Sequence, residues 1–426
     1  MFAGLIERPI LSPSGAGMRD AAIPASGRAT GASVFALLFL TIGIFQLGTG
    51  MLMGVVPVQL SLNGFSASVV GWVSTGQSVG FLAGSLLAAP ITAALRARPT
   101  LALFATINAA AAVALWFWGD PFAWMAARIV AGFSSGCVMV LFEAWVGSKA
   151  APANRGLVFG IYMVLSRLAF LTAQIAMAVV APHLTLLFLV AAVCYLVAPG
   201  LAVIVPGNPP LIGGRSFAGI WEMPRRAPAA AAAALAHAMI TTSSLGLFPV
   251  YAVARGIPVD QIAFLLAATQ FGGLVLQLPM SLLSDRVGRR TVMTIAALAT
   301  LAMSALLWVA EAPGVWFLAV MAALWAGSPA ALYSLGVAHA NDIASDAERV
   351  AWSGAMISMW GLGAVAGPLL AAVLMDRFGA GALFAFTGAL SATLMLFLLL
   401  RKLIRKRPMA PIPSADTIGP APGVGG

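Results

Sequence analysis

Twelve stretches of predominantly apolar residues, each long enough to cross a bilayer, dominate this 426-residue chain. They run approximately over 33–61, 69–93, 101–118, 122–146, 157–181, 184–205, 229–253, 259–283, 291–310, 313–337, 350–374 and 379–400. A helix needs roughly 20 apolar residues to traverse the hydrocarbon core, and backbone groups there are satisfied within the segment or not at all. Strands of a membrane barrel are shorter and alternate apolar with polar residues, so these continuous runs predict helices. The expected fold class is all-α integral membrane. Charge agrees with it: 23 Lys+Arg and 13 Asp+Glu make up only 8% of the chain, against about a quarter in soluble domains. A soluble, disordered or nucleic-acid-binding protein is excluded by that balance.

The two cysteines, Cys137 and Cys194, lie in apolar runs, and His183, His237 and His339 are far apart. No disulfide framework or metal-ligand spacing can be written, so no metal and no cofactor is expected. Residues 1–32 are rich in Gly, Pro, Ser and Ala, with Arg8, Arg19 and Arg28 but no apolar signal-peptide core. They predict a disordered tail, as do residues 403–426.

The basic residues sort by side. With twelve spans, nineteen of the 23 fall on one face, only Arg255 and Arg377 on the other, and Arg128 and Arg167 within spans. The positive-inside rule then places both termini in the cytoplasm of a bacterial inner-membrane protein. The net charge of +10 is a topological signal that needs no nucleic-acid partner. The longest internal connection, 207–228, separates a bundle over 33–206 from a second over 229–402.

The two halves are related. Gly54-Val-Val-Pro57 matches Gly246-Leu-Phe-Pro249, and without a gap Thr92-Ala-Ala-Leu-Arg-Ala-Arg98 falls on Ser284-Asp-Arg-Val-Gly-Arg-Arg290. Such a repeat implies two six-helix bundles about an axis along the membrane normal. On these residues the sequence resembles the major facilitator superfamily. Ser284 to Arg290 look like that family's D-R-x-G-R-[KR] loop, and Arg128-Ile-Val-Ala-Gly132-Phe-Ser-Ser-Gly136 is similar to its R-x-x-x-G-x-x-x-G element. Glu143-Ala-Trp145, Asn154-Arg155-Gly156 and Tyr162-Met163 resemble the poorly characterised YcaD-type subgroup. The resemblance implies a cytoplasmic gate at Asn154, Arg155, Asp285, Arg286, Gly288, Arg289 and Arg290. The first-half loop departs from the family pattern, with Ala93 where an Asp would stand. Asp285 is expected to cap the following helix or to accept from Arg289 or Arg290, and Asp285→Ala to lower transport without harming insertion.

Ionisable groups inside spans are costly, so each is a candidate for function. Arg128 reads as a cavity cation or as an arginine that snorkels to the interface. Glu143 reads as a proton carrier or as half of a structural ion pair near the cytoplasmic end. Arg167, near the bilayer midplane, reads as a substrate contact or as the counter-ion of Glu143. His237 reads as a proton-coupling group or as a hydrogen-bonded structural histidine. Gln46, Gln174, Gln270, Tyr333 and Trp360 are further polar or aromatic groups at plausible cavity depth, and Gln277 joins them. Gly76, Gly80 and Gly84 of span two, with Gly363 and Gly367 of span eleven, allow close helix approach, either for sliding between bundles or for static packing.

The leading expectation is a monomeric secondary transporter that moves a small anionic or zwitterionic solute by alternating access, read as proton-coupled through Glu143 or His237. The alternatives are a drug or metabolite efflux antiporter, and a non-transporting membrane scaffold on the same fold. An enzyme is the least expected, because no catalytic constellation is present.

Overall fold

The computed structural model describes residues 31–151, 154–207, 209–210, 219–310, 314–345 and 348–404. The terminal tails expected at 1–32 and 403–426 lie almost wholly outside the described residues; residues 31 and 32 already belong to the first helix, which spans Gly31–Leu62. Among the described residues there are helices and no strands. Twelve helical segments are long and apolar enough to cross a membrane: Ser33–Leu62, Ala67–Leu95, Ala97–Phe117, Pro121–Lys149, Gly156–Val179, Leu186–Ile204, Pro228–Ala254, Val259–Val287, Arg289–Val309, Val315–Asn341, Ala351–Phe378 and Ala382–Lys402. They are numbered here as spans one to twelve. The arginine-rich end of the molecule is its basic face and the opposite end its far face.

Spans one to six form one bundle and seven to twelve the other. Within the first, the glycine stripe of span two packs on span four: Gly76 meets Met125 and Ile129, Gly80 meets Ile129 and Phe133, and Gly84 meets Phe133. Gly132 and Gly136 return the contact against Gln77, Phe81 and Ser85. Gly363 and Gly367 of span eleven pack likewise on Leu235 and Met239 of span seven. Both stripes therefore hold helices together inside a bundle, by the close backbone approach that small residues permit. Neither forms the surface between bundles.

Span ten is the one expected helix that is not continuous. It runs as Val315–Gly327, a 3-10 turn at Ser328–Ala331, then Leu332–Asn341. Pro329 has no N–H to donate and its ring crowds the preceding turn, so the helix tightens into a 3-10 turn in which Leu332 N donates to the Pro329 carbonyl. The Pro329 carbonyl is also taken by His237 Nδ1 of span seven at 2.8 Å. The connection between bundles carries a short helix, Gly219–Arg226. Its Arg226 bonds Glu348, just before span eleven, and lies 4.9 Å over the ring of Trp352. Outside the membrane, Glu348 is held down to about 2 by the backbone N–H of Ser345, by Arg226 and by the Ser345 hydroxyl.

Among the described residues, the bundles are joined by hydrogen bonds in the far half and at mid-depth. Asp376 of span eleven accepts from Ala67 N and Ser68 N of span two at 2.9 and 3.0 Å. Deeper along the same pair, Thr75 Oγ1 donates to the Val365 carbonyl at 3.4 Å and Phe81 meets Trp360 edge to face at 5.8 Å. The other pair of facing spans, five and eight, is joined by Arg167 and Gln277.

Candidate functional site

Arg167 sits midway along span five and reaches into span eight. Its Nε donates to Gln277 Oε1 at 2.9 Å. The guanidinium lies on the bare backbone of Gly273, one turn earlier: a Cβ there would stand 2.6 Å from Nη1. Only glycine leaves that space. The same Cβ position is 3.6 Å from Ala330 Cβ, in the 3-10 turn of span ten. Ala330 follows Pro329, whose carbonyl holds His237, and Arg167 is near enough for its charge to act on that imidazole. Tyr333, one turn on from Ala330, places its ring 6.0 Å from the His237 ring. Spans five, seven, eight and ten thus bring Arg167, Gly273, Gln277, His237 and Tyr333 together at the broken segment.

This constellation has defined hydrogen-bonding capacity. A carbonyl accepts, so Nδ1 of the half-buried His237 carries the proton, and in the neutral tautomer Nε2 is left as the acceptor. Arg167 is half-buried, forms no ion pair among the described residues, and has a neutral amide as its hydrogen-bond partner. Glu143 is not its partner. It is half-buried on span four, with Tyr162 of span five in electrostatic reach. Gln270 lies half-buried two turns before Gln277, on the same face of span eight.

Arg128 occupies a second position, inside the first bundle. It is 4% exposed, its Nε has no hydrogen-bond partner among the described residues, and Tyr195 of span six is near it. The Tyr195 hydroxyl donates to Thr49 Oγ1 of span one at 3.2 Å, about one turn from the buried Gln46. Gln174 is fully buried between spans one and five, where its Nε2 donates to the Gly50 carbonyl at 3.1 Å. Trp360 stands at the span two and eleven contact.

The loop after span eight is a separate cluster. Arg289 Nη1 meets Asp285 Oδ1 at 3.3 Å, its Nε donates to Asp342 Oδ2 at 2.8 Å, and Arg290 Nε approaches His339 Nε2 at 3.3 Å. Gly288, at φ +88°, turns the chain between spans eight and nine, and these groups line a cavity of about 540 Å³ on the basic face. Arg286 is exposed in the last turn of span eight. All these ion pairs lie within the second bundle. Asn154 makes no capping hydrogen bond at the start of span five, and the side chain of Arg155 lies outside the described residues. Gly273 and the span-ten break were not singled out by sequence; the adjacent Gly272 and Gly273 and the Pro329 breaker were their only signals.

Twelve spans in two bundles, meeting around a polar midplane cluster, define a multi-pass membrane transporter rather than an enzyme. The chain belongs to the Major Facilitator Superfamily, whose family model matches residues 38–259 and 230–422. Curated relatives include the uncharacterized MFS-type transporter YfkF of Bacillus subtilis, 26% identical over 379 residues, covering 86% of this chain and 95% of the relative. Another is the uncharacterized MFS-type transporter YcaD of Escherichia fergusonii, 26% identical over 85% of this chain and 93% of its own. Among solved structures, a mutant of the nucleoside transporter NupG superposes with a TM-score of 0.76 at 14% identity, over 86% of this chain and 99% of that one. The xylose transporter XylE from E. coli gives 0.70 at 14% identity, over 86% and 98%.

Proposed function

We propose that this protein is a secondary active transporter of a small anionic or zwitterionic solute, bound at the midplane by Arg167. The carrying observation is the uncompensated guanidinium: Arg167 rests on Gly273 and bonds a neutral amide, so an incoming carboxylate or phosphate is the missing charge. Gln277 and Gln270 add polar contacts along span eight, and His237 Nε2 offers an acceptor for a hydroxyl or amine of the same solute. The buried Arg128 adds a second positive charge in the first bundle. Glu143, a carboxylate within span four, is the proton carrier in this reading, with Tyr162 in electrostatic reach. The arginine-rich face is cytoplasmic, in the inner membrane, by the positive-inside rule.

The test is uptake into proteoliposomes under an imposed pH gradient, across a panel of carboxylates, phosphates and amino acids. Gradient-driven flux of an anionic or zwitterionic member, lost in Arg167→Ala, is the expected result. Flux confined to cations, or a flux indifferent to Arg167→Ala, overturns it.

A further inference from the structure

We infer that Asp376 is a positioning residue of the transport cycle: a carboxylate of the second bundle that caps a helix of the first and weights the equilibrium toward a closed far face. A helix leaves its first N–H groups without intrahelical partners. At span two they are shared between two sources. Ser66 Oγ accepts from Val69 N at 3.4 Å, while Ala67 N and Ser68 N donate to Asp376 Oδ1 and Oδ2 at 2.9 and 3.0 Å. Both carboxylate oxygens are engaged by the other bundle.

The contact is electrostatically two-sided. An anion is favoured at the positive end of the span-two dipole, and its hydrogen bonds there are charge-assisted. On its own helix Asp376 stands close to the C-terminus, Phe378, where the dipole's negative end disfavours a carboxylate. Docking on span two therefore satisfies the N–H donors and offsets the unfavourable position of Asp376. Parting the rims undoes both. One turn below, Gly71 permits the approach: a Cβ there would be 2.6 Å from Ala372 Cβ and 3.0 Å from the Pro368 carbonyl.

Among the described residues, the repeat-related seam shows no such cap. Span eight begins after Pro258 with no side-chain cap and carries Asp260 in its own first turn. Span five ends at Val179, which is 76% exposed. A contact made in one conformation and absent in the other biases the equilibrium by its own strength, so the far face carries its closing bias on one seam.

The experiment reads the rim distance and needs no solute. Spin labels at Asn63→Cys and Ala380→Cys, in full-length protein lacking Cys137 and Cys194 and reconstituted in nanodiscs, report the separation of the bundles at the far face. Asp376→Asn keeps size and removes charge; the long-distance population is expected to rise about fivefold, the scale of a carboxylate at a helix N-terminus. Ala67→Pro removes one donor from the partner helix. Proline is tolerated at the first helical position, and Ser66, at φ −65° and ψ 160°, already has the extended backbone that precedes proline. It is expected to shift the distances in the same direction, and the double variant to add less than the sum. Unchanged distances in Asp376→Asn, a shift in Asp376→Asn without one in Ala67→Pro, or full additivity overturns the inference.

Discussion

The seam between spans two and eleven and the seam between spans five and eight are equivalents under the internal repeat, yet they are fastened at different depths. The first is held at its rim, where Asp376 takes two backbone N–H groups, and deeper down by one long Thr75–Val365 hydrogen bond and by small and aromatic residues such as Gly71, Phe81 and Trp360. The second has no rim fastening among the described residues and is bridged at mid-depth by Arg167 and Gln277. The two halves have diverged in how their seams are fastened. A rim contact can set how readily one face opens without touching the solute, whereas a midplane bridge made by a charged side chain is one that a solute competes for.

That contrast can be broken from either side. Arg167→Ala carries the largest expected effect: apparent KM for the solute rises roughly 10- to 100-fold, as for a lost hydrogen bond to a charged group. Arg167→Lys recovers little, because an ammonium cannot reproduce the Nε contact to Gln277. Gly273→Ala comes next. The added methyl displaces the guanidinium, so transport falls about tenfold while insertion and thermal stability stay near those of the parent. If Gly273→Ala transports normally, the guanidinium is not held where the solute binds. Asp376→Asn follows, with its shift at the rim and an unchanged midplane affinity; a change in KM as large as that of Arg167→Ala would merge the two seams.

Asp285→Ala is expected to lower transport by no more than about twofold, since the pair is exposed and Arg289 keeps its 2.8 Å bond to Asp342. The smallest effect concerns the linker helix. Glu348 is held down to about 2, so its contribution is fully present above the ordinary carboxylate range and is lost as pH falls through about 2. Hydrogen-exchange protection of the helix Gly219–Arg226, relative to intrinsic rates, is therefore expected to be flat from pH 8 to 5, and a loss of protection in that window would remove Glu348 as its anchor.

Much of the architecture was legible because lipid imposes it. Spans, the basic face and the repeat follow from length, charge and internal similarity. The span-ten break was not legible from its proline: Pro57, Pro90, Pro199, Pro249, Pro279 and Pro368 also lie inside spans whose helices continue. What distinguishes Pro329 is an acceptor's partner, His237, 92 residues away in sequence. The glycine stripes were legible as close-packing surfaces, but periodicity cannot say which neighbour they face. Arg167 was legible as a costly charge, while Gln277, 110 residues distant, and Gly273 beneath it became meaningful only when the helices were placed.

The broken tenth span joins two places that the sequence kept apart. Its second segment, Leu332–Asn341, is a rod about 15 Å long. Tyr333 beside His237 stands at one end; at the other, His339 meets Arg290, and Asp342 just beyond meets Arg289. The 3-10 turn at Ser328–Ala331 separates this rod from Val315–Gly327, which packs on span eight where Ala323 and Gly327 meet Gly272. A displacement of Tyr333 carried along this segment would be felt at His339 and Asp342, the partners of Arg290 and Arg289 on the basic face.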